Sequence, residues 1–174
     1  MDFVVINRER TIALFRSSDT YITQSRSWLP ASVGGVLWFG AAAAHSTIYV
    51  PIMAGALSVP SCFNGWQGVY DLSTSYWASR VLLNVAQIKF DYMIQDIRAL
   101  QSSLESESQR LVDELSSTYK GEESMKDITE RLSANAMIAP TASVELMHSL
   151  LFKYADGYMN TWTKTGFHSF SLGL

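Results

Sequence analysis

The sequence predicts an α+β chain in which short antiparallel strands are followed by one long helix and two shorter ones. Two contrasting patterns carry that prediction. Residues from about 10 to 52 hold short runs rich in β-branched and aromatic side chains, separated by turn residues. Residues from about 73 to 158 instead repeat apolar side chains at helical spacing, with capping and stop signals between the runs.

Thr11 to Phe15 and Thr20 to Ser25 read as a hairpin around Ser17-Ser18-Asp19, and Trp28-Leu29-Pro30 closes its second strand because proline donates nothing to a ladder. Gly34-Gly35 opens a third strand, Val36 to Phe39. After the Ala41 to His45 connection, Thr47 to Ile52 makes a fourth, giving a four-stranded meander. No Asp, Glu, Lys or Arg lies between Arg26 and Asp71. A membrane span over Val33 to Leu57 has the length, since about 20 apolar residues cross a bilayer. Yet His45, Ser46, Thr47 and Pro51 interrupt it, and no cation flanks its C-terminal end. Strands covered on both faces explain the same apolar run, and membrane association is not expected. Residues 53–72 form a loop, with Phe63 and Trp66 expected to anchor it to the core.

Ser73 to about Tyr119 reads as one long helix. Steps of seven from Tyr76 reach Leu83, Phe90, Ile97, Leu104 and Leu111, while Arg80, Gln87, Asp91, Gln95 and Arg98 fall on the other side. Glu107 and Glu114 break the seam, so a core helix is expected in place of a free coiled coil. Lys120-Gly121 is its stop. Glu122 to about Ala139 is a second helix ended by Pro140, and Thr141 caps a third, Ala142 to about Tyr158, stopped at Asp156-Gly157. The tail, 159–174, shows no periodicity and is expected to run over the surface. With no repeat or linker, residues 1–174 read as a single domain.

The chain of 174 residues is 48% hydrophobic and 17% charged, with a formal net charge of -3. That supports a soluble globular domain with a real core. A weakly acidic chain without a basic run offers no nucleic-acid surface. The one cysteine, Cys62, excludes an internal disulfide and fits a reducing, cytoplasmic compartment, although secretion is compatible with it. The start, Met1-Asp2-Phe3, carries no targeting signal.

Few residues suggest chemistry. Cys62 sits in the apolar Pro60-Ser61-Cys62-Phe63 loop, which favours a buried structural thiol over a nucleophile. His45, His148 and His168 have no metal-ligand spacing, and neither a metal nor a cofactor is expected. Glu105, Glu107, Asp113 and Glu114 read as a solvated helix face. Phosphate loops and dinucleotide fingerprints are absent. On the residues alone, no active site is visible.

The order of elements nevertheless carries a resemblance. Arg10 to Arg26, then Trp28-Leu29-Pro30, Gly35-Val36-Leu37-Trp38, Tyr49-Val50-Pro51, Ser75-Tyr76-Trp77-Ala78 and the late run Leu151 to Tyr158 resemble the C-terminal half of the thiol dipeptidases of the N-terminal nucleophile class. That family includes bacterial broad-specificity dipeptidases and the secernins. The resemblance implies half of an αββα sandwich from a cysteine-dependent, peptide-bond-hydrolysing family. The nucleophile of that family is a cysteine exposed at the mature N-terminus, with its own α-amino group as base. No cysteine precedes position 62 here, so the resemblance implies that the upstream half and its nucleophile are missing and that no catalytic residue lies in this chain. Arg16 and Arg26 are the candidates to face a peptide carboxylate, with a salt bridge as the alternative role. Ala41 to Ala44 departs from the acidic turn expected of the family, and the tail lacks the family's proline and tryptophans. A half sandwich leaves an apolar face and sheet edges uncovered. The expected partner is the N-terminal half of the same fold, a second copy of the chain or a larger assembly. Three functions compete: a truncated or split dipeptidase inactive alone, a non-catalytic structural subunit derived from that family, and, least supported, a membrane protein built on Val33 to Leu57.

Overall fold

The computed structural model describes residues 13–65, 68–156, 158–163 and 166–171, with residues from 158 onward described as backbone alone. The chain is α+β. Strands β1 (Asp19–Ser25), β2 (Gly35–Ala41) and β3 (Val50–Met53) form an antiparallel sheet in that order, with a short helical turn, α1 (Ala31–Gly34), between the first two. Helices α2 (Ser75–Ala86), α3 (Phe90–Ser117), α4 (Met125–Ala136) and α5 (Ile138–Lys153) follow, and β4 (Tyr158–Thr163) pairs with β5 (Gly166–Ser171).

Register sorts the sheet into two faces. Ile22 lies opposite Trp38, Gln24 opposite Val36, and Val36 opposite Met53, so these residues share one face. Val36 and Met53 are buried there against Val112 and Leu115 of α3 and Met125, Ile128 and Leu132 of α4. Tyr21, Leu37, Phe39, Val50 and Ile52 share the other face. Cys62 and Phe63 cover part of it, with the Phe63 ring edge-on to Phe39 at 4.9 Å. The rest is open: Tyr21 is 65% exposed, and Leu37 and Ile52 are half-buried. Burial of the strands accounts for only part of the charge-free run, since the loop after them is largely exposed, with Leu57 and Tyr70 68% and 60% exposed. Among the described residues no helix is long and apolar enough to cross a membrane.

The four-stranded meander becomes a three-stranded sheet. Residues 13–18 form turns in place of a strand, and Thr11 and Ile12 lie outside the described residues. The cause is Arg80 of α2, which donates to the carbonyls of Phe15 at 2.6 Å and Ser17 at 3.1 Å and so removes them from any ladder. The third strand of the sheet starts at Val50, not Thr47. Two side chains of α3 take the preceding backbone groups: Gln101 Nε2 donates to the Thr47 carbonyl at 2.6 Å, and Glu105 Oε1 accepts the Tyr49 N–H at 3.1 Å.

The expected long helix is two helices. A 3₁₀ turn at Gln87–Lys89 separates α2 from α3 and resets the phase of the apolar stripe. In α2 the buried face is Ala78, Leu82, Leu83 and Ala86; in α3 it is Met93, Ile94, Ile97, Val112 and Leu115. Phe90, a member of the expected heptad, consequently stands 36% exposed. Lys89 at the break donates to the Asp156 carbonyl beyond the end of α5. The stop at Gly121 holds, with φ at 120°, a conformation that glycine adopts without penalty.

Pro140 does not end a helix. The second helix stops at Ala136, and Pro140 is the third residue of α5. Amides of the first turn have no acceptor inside the helix, so a proline there removes no bond. The tail forms an antiparallel ladder, with Trp162 opposite Phe167 and Thr161 opposite His168. The strand propensity of Thr161-Trp162-Thr163 and Phe167 to Phe170 outweighs the lack of clean alternation. The expected Trp66 anchor lies outside the described residues.

Two positions near the end of β2 invite opposite substitutions. A Cβ on Gly40 would sit 2.4 Å from Thr47 Cγ2. Gly40→Ala should therefore cost about 1–3 kcal/mol through forced displacement, read as a lower unfolding midpoint. Ala42 instead has φ 75°, a region that costs L residues ~1–2 kcal/mol. Ala42→Gly should hold or raise the midpoint, because glycine's greater chain entropy offsets only part of that strain. A lowered midpoint would contradict the assignment of strain to Ala42.

Candidate functional site

The chemistry-bearing loop and the start of α2 meet at the end of the sheet. Asp71 Oδ1 accepts from the Ser73 N–H at 2.9 Å and the Ser73 hydroxyl at 2.7 Å, and these bonds hold its carboxyl below the usual carboxylate range. The turn delivers Thr74, whose Oγ1 donates to the Asp71 carbonyl at 2.7 Å and accepts the Trp77 N–H at 3.4 Å as the N-cap of α2. A cavity of about 150 Å³ opens beside this cap, lined among others by Asp19, Phe39, Cys62, Thr74, Tyr76 and Trp77. The indole N–H of Trp77 is buried and finds no acceptor among the described residues.

Cys62 is 2% exposed, and its Sγ lies 3.6 Å from the Ala136 carbonyl of α4. Burial pushes the thiol up from its ordinary pKa, opposed by the neighbouring Ser75 hydroxyl. Among the described residues no histidine lines the cavity to take the thiol proton. The expectation of a structural cysteine agrees with this geometry.

Arg16 and Arg26 do not converge. Arg16 is exposed, with its guanidinium 5.7 Å from the Phe15 ring centre, and its carbonyl accepts from Arg80 at 3.4 Å. Arg26 is 6% exposed, just past the end of β1. Its Nη2 donates to the Val33 carbonyl at 2.5 Å, and its Nη1 is 3.9 Å from Asp113 of α3. It ties the turn that precedes β2 toward the long helix.

The remaining candidates disperse. His45 stands edge-on to Phe90 at 6.0 Å, and burial followed by the charge of Arg98 lowers its pKa. His148 is exposed on α5, and the side chain of His168 lies outside the described residues. Glu107 pairs with Arg110 and Glu114 with Arg131, each at 2.7 Å between exposed groups, as a solvated face requires. Glu105 differs from them, since it turns back to Tyr49. Among the described residues no group of three His, Cys, Asp or Glu could hold a metal ion.

Two polar clusters escaped the sequence reading. Arg80, which read as a solvent-facing residue, clamps the turn before β1 and lies 5.4 Å from the ring centre of Tyr76, one helical turn earlier. Lys153 Nζ meets Asp96 Oδ1 at 2.8 Å, and Tyr154 Oη donates to Asp96 Oδ2 at 2.9 Å, joining α5 to α3. Despite the opposing cost of burial, the Asp96 contacts raise the Lys153 pKa, and the Tyr154 hydroxyl is pushed up by burial and by Asp96. Neither group is tuned for proton transfer near neutral pH. Tyr76 four residues before Arg80 was a visible signal for the first cluster. Nothing local announced Asp96 as the partner of a lysine 57 residues away.

The inert setting of Cys62 has a direct readout. Alkylation by iodoacetamide should run at least roughly tenfold slower in the native chain than in denaturant, because both access and ionisation require opening. Equal rates would show that the thiol is open to attack.

Compared with known protein families, residues 4–103 match peptidase family C69, a stretch that takes in every residue lining the cavity around Cys62. No curated protein matches the chain. The matched stretch covers the sheet, the Cys62 loop, α2 and the first half of α3, more than half of the sequence. The chain belongs to peptidase family C69.

Proposed function

We propose that the chain is the scaffold-bearing half of a cysteine-dependent dipeptidase and works with a segment, outside this sequence, that carries the nucleophile. The carrying observation is the environment of Cys62: the only thiol of the chain is buried, has its pKa pushed up and has no histidine beside it among the described residues. A thiol so placed attacks no peptide bond, because the thiolate is the nucleophile. Two features of the sheet support a partner. Among the described residues β1 is an edge strand of its sheet, and Asp19 at its start is the one charge within it. Tyr21 and the adjacent Trp28 stand 65% and 77% exposed. The N-terminal half of the same αββα fold would add strands to this edge and cover the open face.

The same inert cysteine also fits a second reading, a non-catalytic subunit derived from the family that uses these surfaces for assembly with its own copies or with other proteins. Native mass and identification of co-purifying polypeptides, followed by dipeptide hydrolysis assays, separate the two. The split enzyme predicts no hydrolysis by the chain alone. Activity should appear in complex with a polypeptide that begins with cysteine, and Cys62→Ser should leave it unchanged. A homo-oligomer or larger assembly with no such cysteine and no activity would assign the structural role. Hydrolysis by the isolated chain that Cys62→Ser abolishes would overturn both.

A further inference from the structure

A second opening lies on the opposite side of the sheet from the Cys62 loop, between the free edge β1 and helix α3. This groove measures about 420 Å³ and is lined by Ile22, Gln24, Trp38, Tyr49, Glu105 and Gln109, together with Thr23. Its polar groups are largely committed. Trp38 Nε1 donates to Gln24 Oε1 at 3.3 Å, and Gln109 Nε2 donates to Asp113 Oδ1 at 2.9 Å. Glu105 is the exception. Its Oε1 accepts the Tyr49 N–H, and among the described residues no cation reaches the carboxylate.

The chemistry of the walls narrows what fits. Among the described residues neither lysine nor arginine lines the groove, so an anion would meet only Glu105 and be repelled. A neutral apolar ligand would strip water from a half-buried carboxylate and return no counter-charge, which is costly. A cation on an apolar stem satisfies both demands. Its charge neutralises Glu105, its stem lies on Ile22, which is 55% exposed despite its size, and aromatic rings beside a cation add attraction.

We propose that this groove binds an organic cation, an ammonium or guanidinium group on a short apolar stem, with Glu105 as its charge partner and Trp38, Tyr49 and Ile22 as its walls. Burial already pushes the Glu105 carboxyl up against the opposing Tyr49 N–H, and a bound cation reverses that cost. The site is distinct from the Cys62 cavity and does not depend on the peptidase assignment.

The test is titration of the full chain, followed by NMR at the Trp38 indole N–H, with n-butylammonium and n-butylguanidinium against 1-butanol and butyrate. The two cations should shift the resonance saturably with dissociation constants on the order of millimolar. The alcohol and the carboxylate should bind at least roughly tenfold more weakly. Glu105→Gln keeps an acceptor for the Tyr49 N–H, so the fold should hold while cation affinity falls by roughly tenfold or more. If that variant fails to fold, the contrast between butylammonium and butanol on the native chain still decides. Acetyl-argininamide separates the sources: binding by it extends the site to a peptide-borne guanidinium, and binding by the free cations alone assigns it to small amines. Equal binding by butanol, absence of saturation, or unchanged affinity in a folded Glu105→Gln variant would overturn the proposal.

Discussion

Burial of one stripe of α3 is the constraint on which the other elements depend. Met93, Ile94 and Ile97 enter the core with α2 and α5; Leu100 and Leu104 meet β3, Cys62 and the junction of α4 with α5; Val112 and Leu115 cover the sheet with α4. No other element contributes to all three clusters. A helix of 28 residues has little intrinsic stability in water, and an amphipathic one is held by whatever covers its apolar face. Here sheet, loop and three helices between them cover its successive segments. Polar bonds from the same helix fix their positions: Asp96 holds α5, Gln101 and Glu105 hold the entry to β3, and Asp113 holds the turn at Arg26.

The placement of functional groups follows from this arrangement. Cys62 lies where the loop crosses between the sheet and α4, and burial there favours the neutral thiol. Arg26 is consumed in holding backbone, and its Nε finds no acceptor among the described residues. Glu105 can give one oxygen to Tyr49 only because α3 runs along the sheet face that carries Trp38. The groove and the backbone clamp are therefore two results of a single helix position.

The α+β class, the central strand and the long amphipathic segment were legible because each rests on periodicity over many residues. The central strand shows this best: Val36 to Phe39 is apolar on both faces, and the structure covers both sides of it in part. What escaped was decided by single long-range bonds or by position within a turn. Arg80 dissolved the expected first strand from 63 to 65 residues away. The break at Gln87–Lys89 has neither glycine nor proline to announce it, so a stripe that changes phase read as one continuous seam. Pro140 was weighed as a helix breaker, whereas within the first turn it is harmless. At the site, the character of Cys62 was readable from its apolar neighbours. The distinction between Glu105 and the solvated acids beside it was not, since all four lie on one helix and only packing against Tyr49 separates them.

The family match stops at residue 103, inside α3. A polypeptide ended there would keep β1, β2 and β3 and lose Val112, Leu115, Met125, Ile128 and Leu132, the residues that shield Val36 and Met53. The segment recognisable as a peptidase would then expose the sheet face that carries Val36 and Met53, beside the partly open face that carries Tyr21. Recognition and autonomy thus part company in this chain: the portion that carries the ancestry borrows its interior from a portion that the family pattern does not describe.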